Sequence, residues 1–241
     1  MGSWAEYVVV RHNSLLPVPN ETPDEIAAQM LINTITASVL IKAGHNSLRA
    51  PVTPPVYILQ NAAASGVGRL LTQVALDRGL RPIRLVRSNQ SAERLRSVLP
   101  GPPIYSTSDS NWKQQVREAL RGHKLEVAFD ALGGKAIDDL AEIVDDGGTM
   151  INFGSLDTNM GTNIYSLAPN NLALKSVSII SWFRLSEDEK QQDFELALSL
   201  AKNHPELFEV AHEYEFADFQ KAIQQVSSPG KTGIVLLRGP A

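Results

Sequence analysis

The part of the sequence best suited to chemistry is a run of small residues between a short apolar segment and a helical pattern. The run covers residues 61–68, Asn-Ala-Ala-Ala-Ser-Gly-Val-Gly, and it follows the apolar residues 56–59. Small side chains let the backbone approach a phosphate closely, and the first turn of a helix offers free N–H groups and a positive dipole end. A strand, a tight turn and a helix in this order predict a pyrophosphate-binding turn. Its candidate contacts are Ser65, Gly66, Val67 and Gly68.

The match to the dinucleotide motif G-x-G-x-x-G is incomplete. In that register the three glycine positions hold Ala63, Ser65 and Gly68, so small residues replace the first two glycines. Gly66 adds backbone freedom, and Gly68 lets the helix pack closely on the strand. The same residues also suit an ordinary strand-to-helix turn in which small side chains serve packing alone. The motif by itself leaves both interpretations open.

The end of the next predicted strand favours the dinucleotide interpretation. A site for NAD is expected to carry a carboxylate about 20 residues after the glycine turn, where it binds the ribose 2′-hydroxyl. This chain has Arg87, Ser88 and Asn89 there and no acidic residue. A guanidinium can bind a 2′-phosphate through two hydrogen bonds, and the next two side chains add donors. The spacing predicts NADPH as the cofactor, the alternative being a solvated arginine at a strand end.

Two further glycine turns follow predicted strands. They are Asp130-Ala131-Leu132-Gly133-Gly134 and Phe153-Gly154-Ser155. Ligands of open α/β sheets bind beyond the carboxyl ends of the strands, where such turns lie. The first turn is equally compatible with a loop that binds nothing. The second is expected to lie beside the nicotinamide.

Apolar segments alternate with helical patterns along most of the chain, which predicts parallel strands joined by helical crossovers. We therefore expect an α/β fold, a Rossmann-type doubly wound parallel sheet covered on both faces. Strands are predicted at 56–59, 83–86, 104–105, 125–129, 149–153 and 177–182. Helices are predicted at 66–78, 92–98, 111–121 and 135–144, with a capped helix starting at Thr22-Pro23-Asp24-Glu25 and another from Ser186 to about Asn203.

Composition excludes several other classes of function. The 241 residues include 22 basic and 26 acidic side chains, so no excess of positive charge predicts a nucleic-acid partner. There is no cysteine, which excludes disulfides, thiolate nucleophiles and cysteine-bound zinc. The five histidines are scattered without metal-ligand spacing, so no metal site is expected. No uninterrupted apolar stretch approaches the ~20 residues of a membrane span, so none is predicted.

The two ends of the chain do not follow the alternating pattern. Residues 4–10 are predicted to form a strand, and a helix near 218–226 and a strand at 233–237 close the chain. We therefore divide the chain into residues 1–20 and 205–241, which would be parts of a second unit, and a dinucleotide-binding domain over residues 21–204.

Three segments together resemble the medium-chain dehydrogenase/reductase superfamily. They are Gly2-Ser3-Trp4-Ala5-Glu6-Tyr7, Asn33-Thr34-Ile35-Thr36-Ala37 and residues 61–68. The most similar branch is the zinc-independent 2-enoyl thioester reductases of mitochondrial fatty-acid synthesis, beside the quinone oxidoreductases. The resemblance implies hydride transfer from NADPH to the β-carbon of an enoyl-CoA or enoyl-acyl-carrier protein. It also implies that the two chain ends are remnants of a GroES-like β-rich lobe.

The resemblance also implies roles for individual residues. Asn33 would contact the nicotinamide end of NADPH, supported by Thr36, and Lys231 would reach the cofactor. The pyrophosphate would lie on residues 65–68 and the 2′-phosphate on residues 87–89. The nicotinamide ribose would be flanked by Phe153, Gly154, Ser155 and Leu156. The nicotinamide and acyl pocket would be flanked by Ser181, Trp182, Phe183 and Arg184, unless Trp182 is a subunit-interface aromatic.

One departure from the family concerns catalysis. Family members carry a catalytic lobe before the Gly2–Tyr7 strand, and in the enoyl reductases that lobe holds the catalytic tyrosine, so no catalytic residue is assigned here. The alternatives are a non-catalytic NADPH-binding or dimerisation module and a quinone reductase-like enzyme. A homodimer is expected through the sheet edge near Val177–Trp182. The resemblance implies an intracellular location, mitochondrial in a eukaryote and otherwise cytoplasmic.

Overall fold

A parallel sheet of six strands lies at the centre of the protein. The computed structural model describes residues 5, 7–10, 15–49, 51–155, 161, 163–228, 230 and 232–239. The strands of the sheet are β1 (Tyr57–Gln60), β2 (Arg81–Val86), β3 (Ile104–Ser106), β4 (Leu125–Asp130), β5 (Thr149–Asn152) and β6 (Ala173–Ser176). The order across the sheet is β3-β2-β1-β4-β5-β6, and all neighbouring strands are parallel. The predicted Rossmann-type sheet is therefore confirmed.

Helices cover both faces of this sheet. Neighbouring strand residues alternate between the two cores, as when Ile58 packs in the first and Leu59 in the second. Burial on both faces explains why the central strands β1, β4 and β5 are mostly apolar. The first face carries α1 (Asp24–His45), α2 (Gly66–Asp77), α3 (Asn89–Val98) and α6 (Glu187–Asn203). The second face carries α4 (Trp112–Ala119) and α5 (Lys135–Ala141).

The chain reverses its direction across the sheet between β1 and β4. From β1 it proceeds outward to β3, and it then returns to β4 on the other side of β1 and continues to β6. The connections at such a reversal leave on opposite faces, and a crevice opens between them at the carboxyl ends of the strands. The turns after β1, β4 and β5 meet at this edge, which we call the carboxyl edge.

The longest helix, α1, begins one residue later than its capping pattern predicts. Pro23 is the N-cap residue with an extended ψ of 141°, and no side chain caps the helix. The Pro23 carbonyl instead accepts the first bonds, from Ile26 N at 3.0 Å and Ala27 N at 2.9 Å. By length and composition α1 could cross a membrane, but 61% of that stretch is buried inside this fold. The burial follows from its packing against α2 and α6.

The predicted sixth strand at 177–182 is wrong. The strand that pairs with β5 is Ala173–Ser176, and Ile179–Arg184 forms a 3-10 helix. Ser178 begins this helix, since its Oγ accepts a hydrogen bond from Ile180 N at 3.3 Å. Of the apolar residues that suggest a strand, Val177, Ile179 and Trp182 instead pack against α1 and α6, and Ile180 is exposed.

The C-terminal part forms a small separate sheet. Strands β7 (Val210–Glu215) and β8 (Ile234–Arg238) pair in parallel, with α7 (Phe219–Val226) between them in sequence. The predicted strand at 4–10 is not seen in its described part, because residues 7–10 are exposed and have no strand assignment. The division into units at 1–20, 21–204 and 205–241 stays a prediction.

Candidate functional site

The turn at residues 61–68, which we call the pyrophosphate turn after its predicted role, lies between a strand and a helix as the sequence predicts, and its binding of a pyrophosphate stays a prediction. Ser65 is the N-cap of α2, and its Oγ accepts a hydrogen bond from Gly68 N at 3.0 Å. The helix therefore starts at Gly66, directly after the turn. The remaining free N–H groups of the first helical turn point toward the carboxyl edge, where the helix dipole favours an anion.

Gly68 is required for the close packing of α2 on β1. A Cβ at this position would lie 2.5 Å from the Ala62 carbonyl oxygen and 2.8 Å from the Ala63 Cα, both backbone atoms. Ala62 itself has a φ of +48°, a left-handed conformation that narrows the turn. Only glycine fits at 68 without a shift of the backbone, which is the role of the third glycine in a dinucleotide motif.

A buried carboxylate joins the ends of three neighbouring strands. Asp130, at the end of β4, is fully buried. Its Oδ1 accepts from Asn61 Nδ2 at 2.5 Å, and its Oδ2 accepts from Asn152 Nδ2 at 2.7 Å and Gly133 N at 3.0 Å. Asn61 Oδ1 in turn accepts from Ala131 N at 2.8 Å. This network fixes the turns after β1, β4 and β5 relative to one another.

The sequence pattern does not predict this network. Asn152 is not among the candidate residues, and Asp130 is predicted only as the start of a glycine turn. The signal was present, since Asn61, Asp130 and Asn152 are polar residues at the carboxyl ends of otherwise apolar strands. Such side chains meet only if their strands are neighbours, and that depends on the strand order.

The two predicted glycine turns lie against each other. Gly133 has a φ of +77°, and a Cβ there would lie 3.7 Å from the Gly154 carbonyl oxygen. A Cβ at Gly154 would lie 2.5 Å from the Ala131 carbonyl oxygen. Phe153 and Ser155 are the neighbours of Gly154 in the chain, so residues 153–155 together line the carboxyl edge beside β4. Leu156 lies outside the described residues.

The end of β2 presents an unpaired cation to solvent. Arg87 is exposed and forms no hydrogen bond or ion pair with the part of the chain that the structure describes. The neighbouring polar groups are engaged: Ser88 Oγ caps α3 by accepting from Ser91 N at 3.2 Å, and Asn89 Nδ2 donates to Asp109 Oδ1 at 3.0 Å. Of the three predicted 2′-phosphate contacts, Arg87 carries the charge, and its side chain is the one without a partner among the described residues.

The two candidate residues of α1, Asn33 and Thr36, have different surroundings. The Nδ2 of Asn33 would lie 3.3 Å from a Cβ at Gly66, so its amide is next to the start of α2. Thr36 Oγ1 instead donates to the Ile32 carbonyl oxygen at 2.7 Å. The structure therefore brings Asn33, and not the Thr36 hydroxyl, to the pyrophosphate turn. Lys231 lies outside the described residues.

The segment 181–183 is held by a different network. Trp182 is buried, and its Nε1 donates to Asp193 Oδ2 at 3.0 Å. Asp193 Oδ1 also accepts from Ser38 Oγ at 2.6 Å and pairs with Lys42 at 3.1 Å. Ser181 and Phe183 are exposed. Trp182 thus joins the 3-10 helix to α1 and α6, and a cofactor contact for residues 181–183 stays a prediction.

The larger cavities do not mark the carboxyl edge. A groove of about 880 Å³ lies at the opposite ends of the strands, lined by residues such as Tyr57, Arg81 and Pro82. None of the predicted site residues lines it. We therefore base the site on the turn geometry and the Asp130 network. Within the described residues, no three His, Asp or Glu side chains are close enough together to hold a metal ion.

A doubly wound sheet with this turn at its reversal point defines a dinucleotide-binding domain of the Rossmann class. A model of the family described as "Zinc-binding dehydrogenase" matches residues 66–203, more than half of the chain. The chain belongs to this family, and thus to the medium-chain dehydrogenase/reductase superfamily, as its resemblance predicts.

Curated relatives share an enzyme name. The mitochondrial enoyl-[acyl-carrier-protein] reductase of Caenorhabditis elegans is 28% identical over 189 residues, which cover 76% of this chain and 53% of that protein. The Bos taurus protein of the same name is 27% identical over 205 residues, covering 83% of this chain and 53% of that protein. The chain thus spans about half the length of these relatives.

Solved structures share the fold. A Bacillus thuringiensis protein described as an NADPH:quinone reductase has a TM-score of 0.83 at 27% identity, and the match covers 97% of this chain and 70% of that one. A mycobacterial protein solved with NADPH has a TM-score of 0.75 at 24% identity, covering 91% of this chain and 66% of that one. At that identity the second likeness shows the fold alone.

Proposed function

We propose that this chain is the NADPH-binding part of a 2-enoyl thioester reductase. The observation that carries the proposal is the turn at residues 61–68, where Gly68 is required for packing and Ser65 caps a helix aimed at the carboxyl edge. The curated relatives named enoyl-[acyl-carrier-protein] reductase support the reaction, and the solved structure described as an NADPH:quinone reductase, at 27% identity, supports the cofactor.

The residues present fit a dinucleotide. The N–H groups at the start of α2 bind the pyrophosphate, since Gly66, the first residue of the helix, carries no side chain that would block its approach. Arg87 supplies an unpaired guanidinium for a 2′-phosphate, and residues 87–89 include no acidic residue. The nearby carboxylate of Asp109 is engaged by the Asn89 amide, which donates to it at 3.0 Å. Asn33, beside Gly66, orients the nicotinamide end. The Asp130 network keeps the turn at Gly133 and Gly154 in place along the groove.

The proposed reaction reduces a conjugated double bond. NADPH supplies a hydride when it is bound. The β-carbon of an enoyl-CoA or enoyl-acyl-carrier protein accepts it, and the α-carbon accepts a proton. The residues of this chain hold and orient the cofactor, which lowers the entropic part of the barrier. By the same resemblance we propose a mitochondrial location in a eukaryote.

Two measurements test this proposal. Titration of the 241-residue chain with NADPH and NADH should give tighter binding of NADPH, and NADPH oxidation should follow addition of crotonyl-CoA. Failure to bind either dinucleotide would refute the proposal. Binding of NADPH without turnover of crotonyl-CoA would instead favour the second candidate, a non-catalytic NADPH-binding module. Turnover of a quinone but not of crotonyl-CoA would favour a quinone reductase.

We also propose that the chain pairs with a second copy through the edge of its sheet. The edge strand is β6 and not residues 177–182, and all four residues of β6 are exposed. Ile180 and Phe183, which follow it, are 62% and 66% exposed. An exposed strand edge next to apolar side chains favours pairing. Sedimentation should give a dimer that Phe183→Asp disrupts, and a monomeric wild type would contradict this.

A further inference from the structure

Two arginines share one carboxylate beside the proposed cofactor groove. Arg69 of α2 donates from Nε to the Leu207 carbonyl oxygen at 3.0 Å and from Nη1 to the Ala64 carbonyl oxygen at 2.9 Å. The same Nη1 lies 3.4 Å from Glu209 Oε2, and Arg94 of α3 pairs with Glu209 Oε1. Glu209 thus joins the segment before β7 to two helices of the dinucleotide-binding domain.

The charges in this cluster do not balance. Two guanidinium groups face one carboxylate, which leaves an excess positive charge next to the groove. The Nη2 of Arg69 is buried and has no hydrogen-bond partner among the described residues. Burial lowers the pKa of Arg69, Glu209 opposes that effect, and Arg94 adds to it by repulsion. A second anion would relieve this imbalance.

The Arg69–Glu209 and Arg94–Glu209 ion pairs differ in how easily they can be broken. The side chain of Arg69 is 3% exposed and that of Glu209 is 21% exposed, whereas that of Arg94 is 51% exposed. A half-exposed pair contributes little to stability and costs little to break. Arg94 can therefore leave Glu209 while Arg69 still pairs with it.

The cluster is continuous with the end of β2. Arg94 shares a cavity of about 50 Å³ with Ala64 of the pyrophosphate turn and with Ser91. Ser91 Oγ lies 3.0 Å from Ser88 Oγ, next to Arg87. Arg94 is three residues after Ser91, on the same face of α3, and helical side chains lean toward the N-terminus of their helix. The guanidinium of Arg94 lies at Glu209, and because its side chain is half-exposed it can turn along α3 toward the proposed 2′-phosphate site.

We propose that Arg94 is a second specificity-determining residue for the 2′-phosphate of NADPH, and that Glu209 is an internal counter-ion with which that phosphate competes. The inference rests on the proposed function. In the free protein Glu209 neutralises part of the charge of Arg94. When the 2′-phosphate is bound, Arg94 pairs with it, and Glu209 stays with Arg69. NADH lacks this phosphate and leaves the Arg94–Glu209 pair intact.

Opposite effects of two variants test the proposal. Arg94→Gln should weaken NADPH binding by roughly tenfold to a hundredfold, the size of a charge-assisted hydrogen bond, and change NADH binding less than about twofold. Glu209→Gln should tighten NADPH binding by roughly twofold to tenfold, because the competing carboxylate is lost. Arg96→Gln is the matched control, since Arg96 carries the same charge on an exposed part of the same helix. Thermal unfolding of each variant verifies its folding.

The outcomes separate this inference from the proposed function. If the wild type prefers NADPH but neither Arg94→Gln nor Glu209→Gln changes its ratio to NADH, the proposed function stands and the inference is wrong. Weaker NADPH binding in Glu209→Gln also overturns it, because Glu209 would then only hold the structure together. Adenosine 2′,5′-bisphosphate, compared with ADP, probes the phosphate site without the nicotinamide. If NADPH and this probe bind in an Arg94-dependent way but crotonyl-CoA is not reduced, the inference survives and the reductase proposal fails; if neither NADPH nor the probe binds, both are refuted.

Discussion

The two halves of the proposed cofactor groove are built in opposite ways. At the ends of β1, β4 and β5, the groove is fixed by Asp130, which is fully buried and bonded to Asn61, Asn152 and the turn at Gly133. At the end of β2, the candidate groups are the exposed, unpaired Arg87 and the half-exposed Arg94. One half is backbone held by buried hydrogen bonds, and the other is charged side chains in solvent.

This difference follows the chemistry of the ligand. All nicotinamide dinucleotides share a pyrophosphate, which the N–H groups of a fixed turn can bind without any loss of side-chain conformational entropy. Only NADPH adds a 2′-phosphate, and a few solvent-facing charges suffice to recognise it. Substitutions in the first half should therefore change stability, and substitutions in the second should change cofactor preference.

The largest effect is expected at Asp130. Asp130→Ala leaves the two side-chain amides of Asn61 and Asn152 without their buried acceptor, and unsatisfied buried donors cost about 1–3 kcal/mol each. We expect the free energy of unfolding to fall by about 3–5 kcal/mol, measured by urea denaturation. The control is Glu93→Gln, an exposed carboxylate on α3. Equal stability of the two variants would show that the network does not hold the edge together.

The next effect is on binding and not on stability. Arg87→Ala should weaken NADPH binding by about 1.5–3 kcal/mol and leave NADH binding unchanged, because only the 2′-phosphate uses this guanidinium. Calorimetric titration measures both constants. Arg81→Ala is the control, since Arg81 is an exposed arginine at the other end of the same strand. If the two variants behave alike, Arg87 is a solvated arginine and the NADPH assignment loses its main support.

Gly66 and Gly68 both lie in the pyrophosphate turn, in the half of the groove held by buried hydrogen bonds, but substitutions at them should differ in cost. Gly68→Ala places a Cβ 2.5 Å from a backbone oxygen and should cost about 1–3 kcal/mol of stability by overpacking. Gly66→Ala should cost less, because its Cβ meets the flexible end of Ile234 at 3.2 Å. Thermal unfolding of the pair gives the difference. A larger loss for Gly66→Ala would contradict the packing argument.

The sequence predicts the sheet and most of the groove because those features are local. A strand, a small-residue turn and a capped helix occupy adjacent residues, and the arginine after β2 is identified by its distance from that turn. The strand alternation also determines the fold class. Element bounds differ by a few residues, as at α1, where the proline takes an extended conformation and starts the helix one residue late.

The features that the sequence does not reveal join residues far apart in the chain. Asp130 lies 69 residues from Asn61, and Arg69 lies 140 residues from Glu209. Their contacts depend on the strand order and on how the C-terminal segment docks. The error at β6 has a related cause, because an apolar run that packs against helices has the same composition as a buried strand. What distinguishes this run from a buried strand is the hydrogen bond from Trp182 to Asp193, which lies 11 residues further along the chain.

Trp182 provides the smallest effect and the final test of the comparison. Its indole donates to Asp193, which keeps Ser38 and Lys42 as partners, so Trp182→Phe should cost only about 1 kcal/mol of stability. Because its side chain is buried between α1 and α6, we expect the same NADPH affinity as the wild type, measured by titration under identical conditions. Trp112→Phe is the matched control, since Trp112 is buried in the core on the other face of the sheet. If Trp182→Phe binds NADPH more weakly while its free energy of unfolding is unchanged, Trp182 contacts the cofactor, and the groove extends beyond the two halves described above. Lower stability at constant affinity would instead make Trp182 the anchor of the segment after β6.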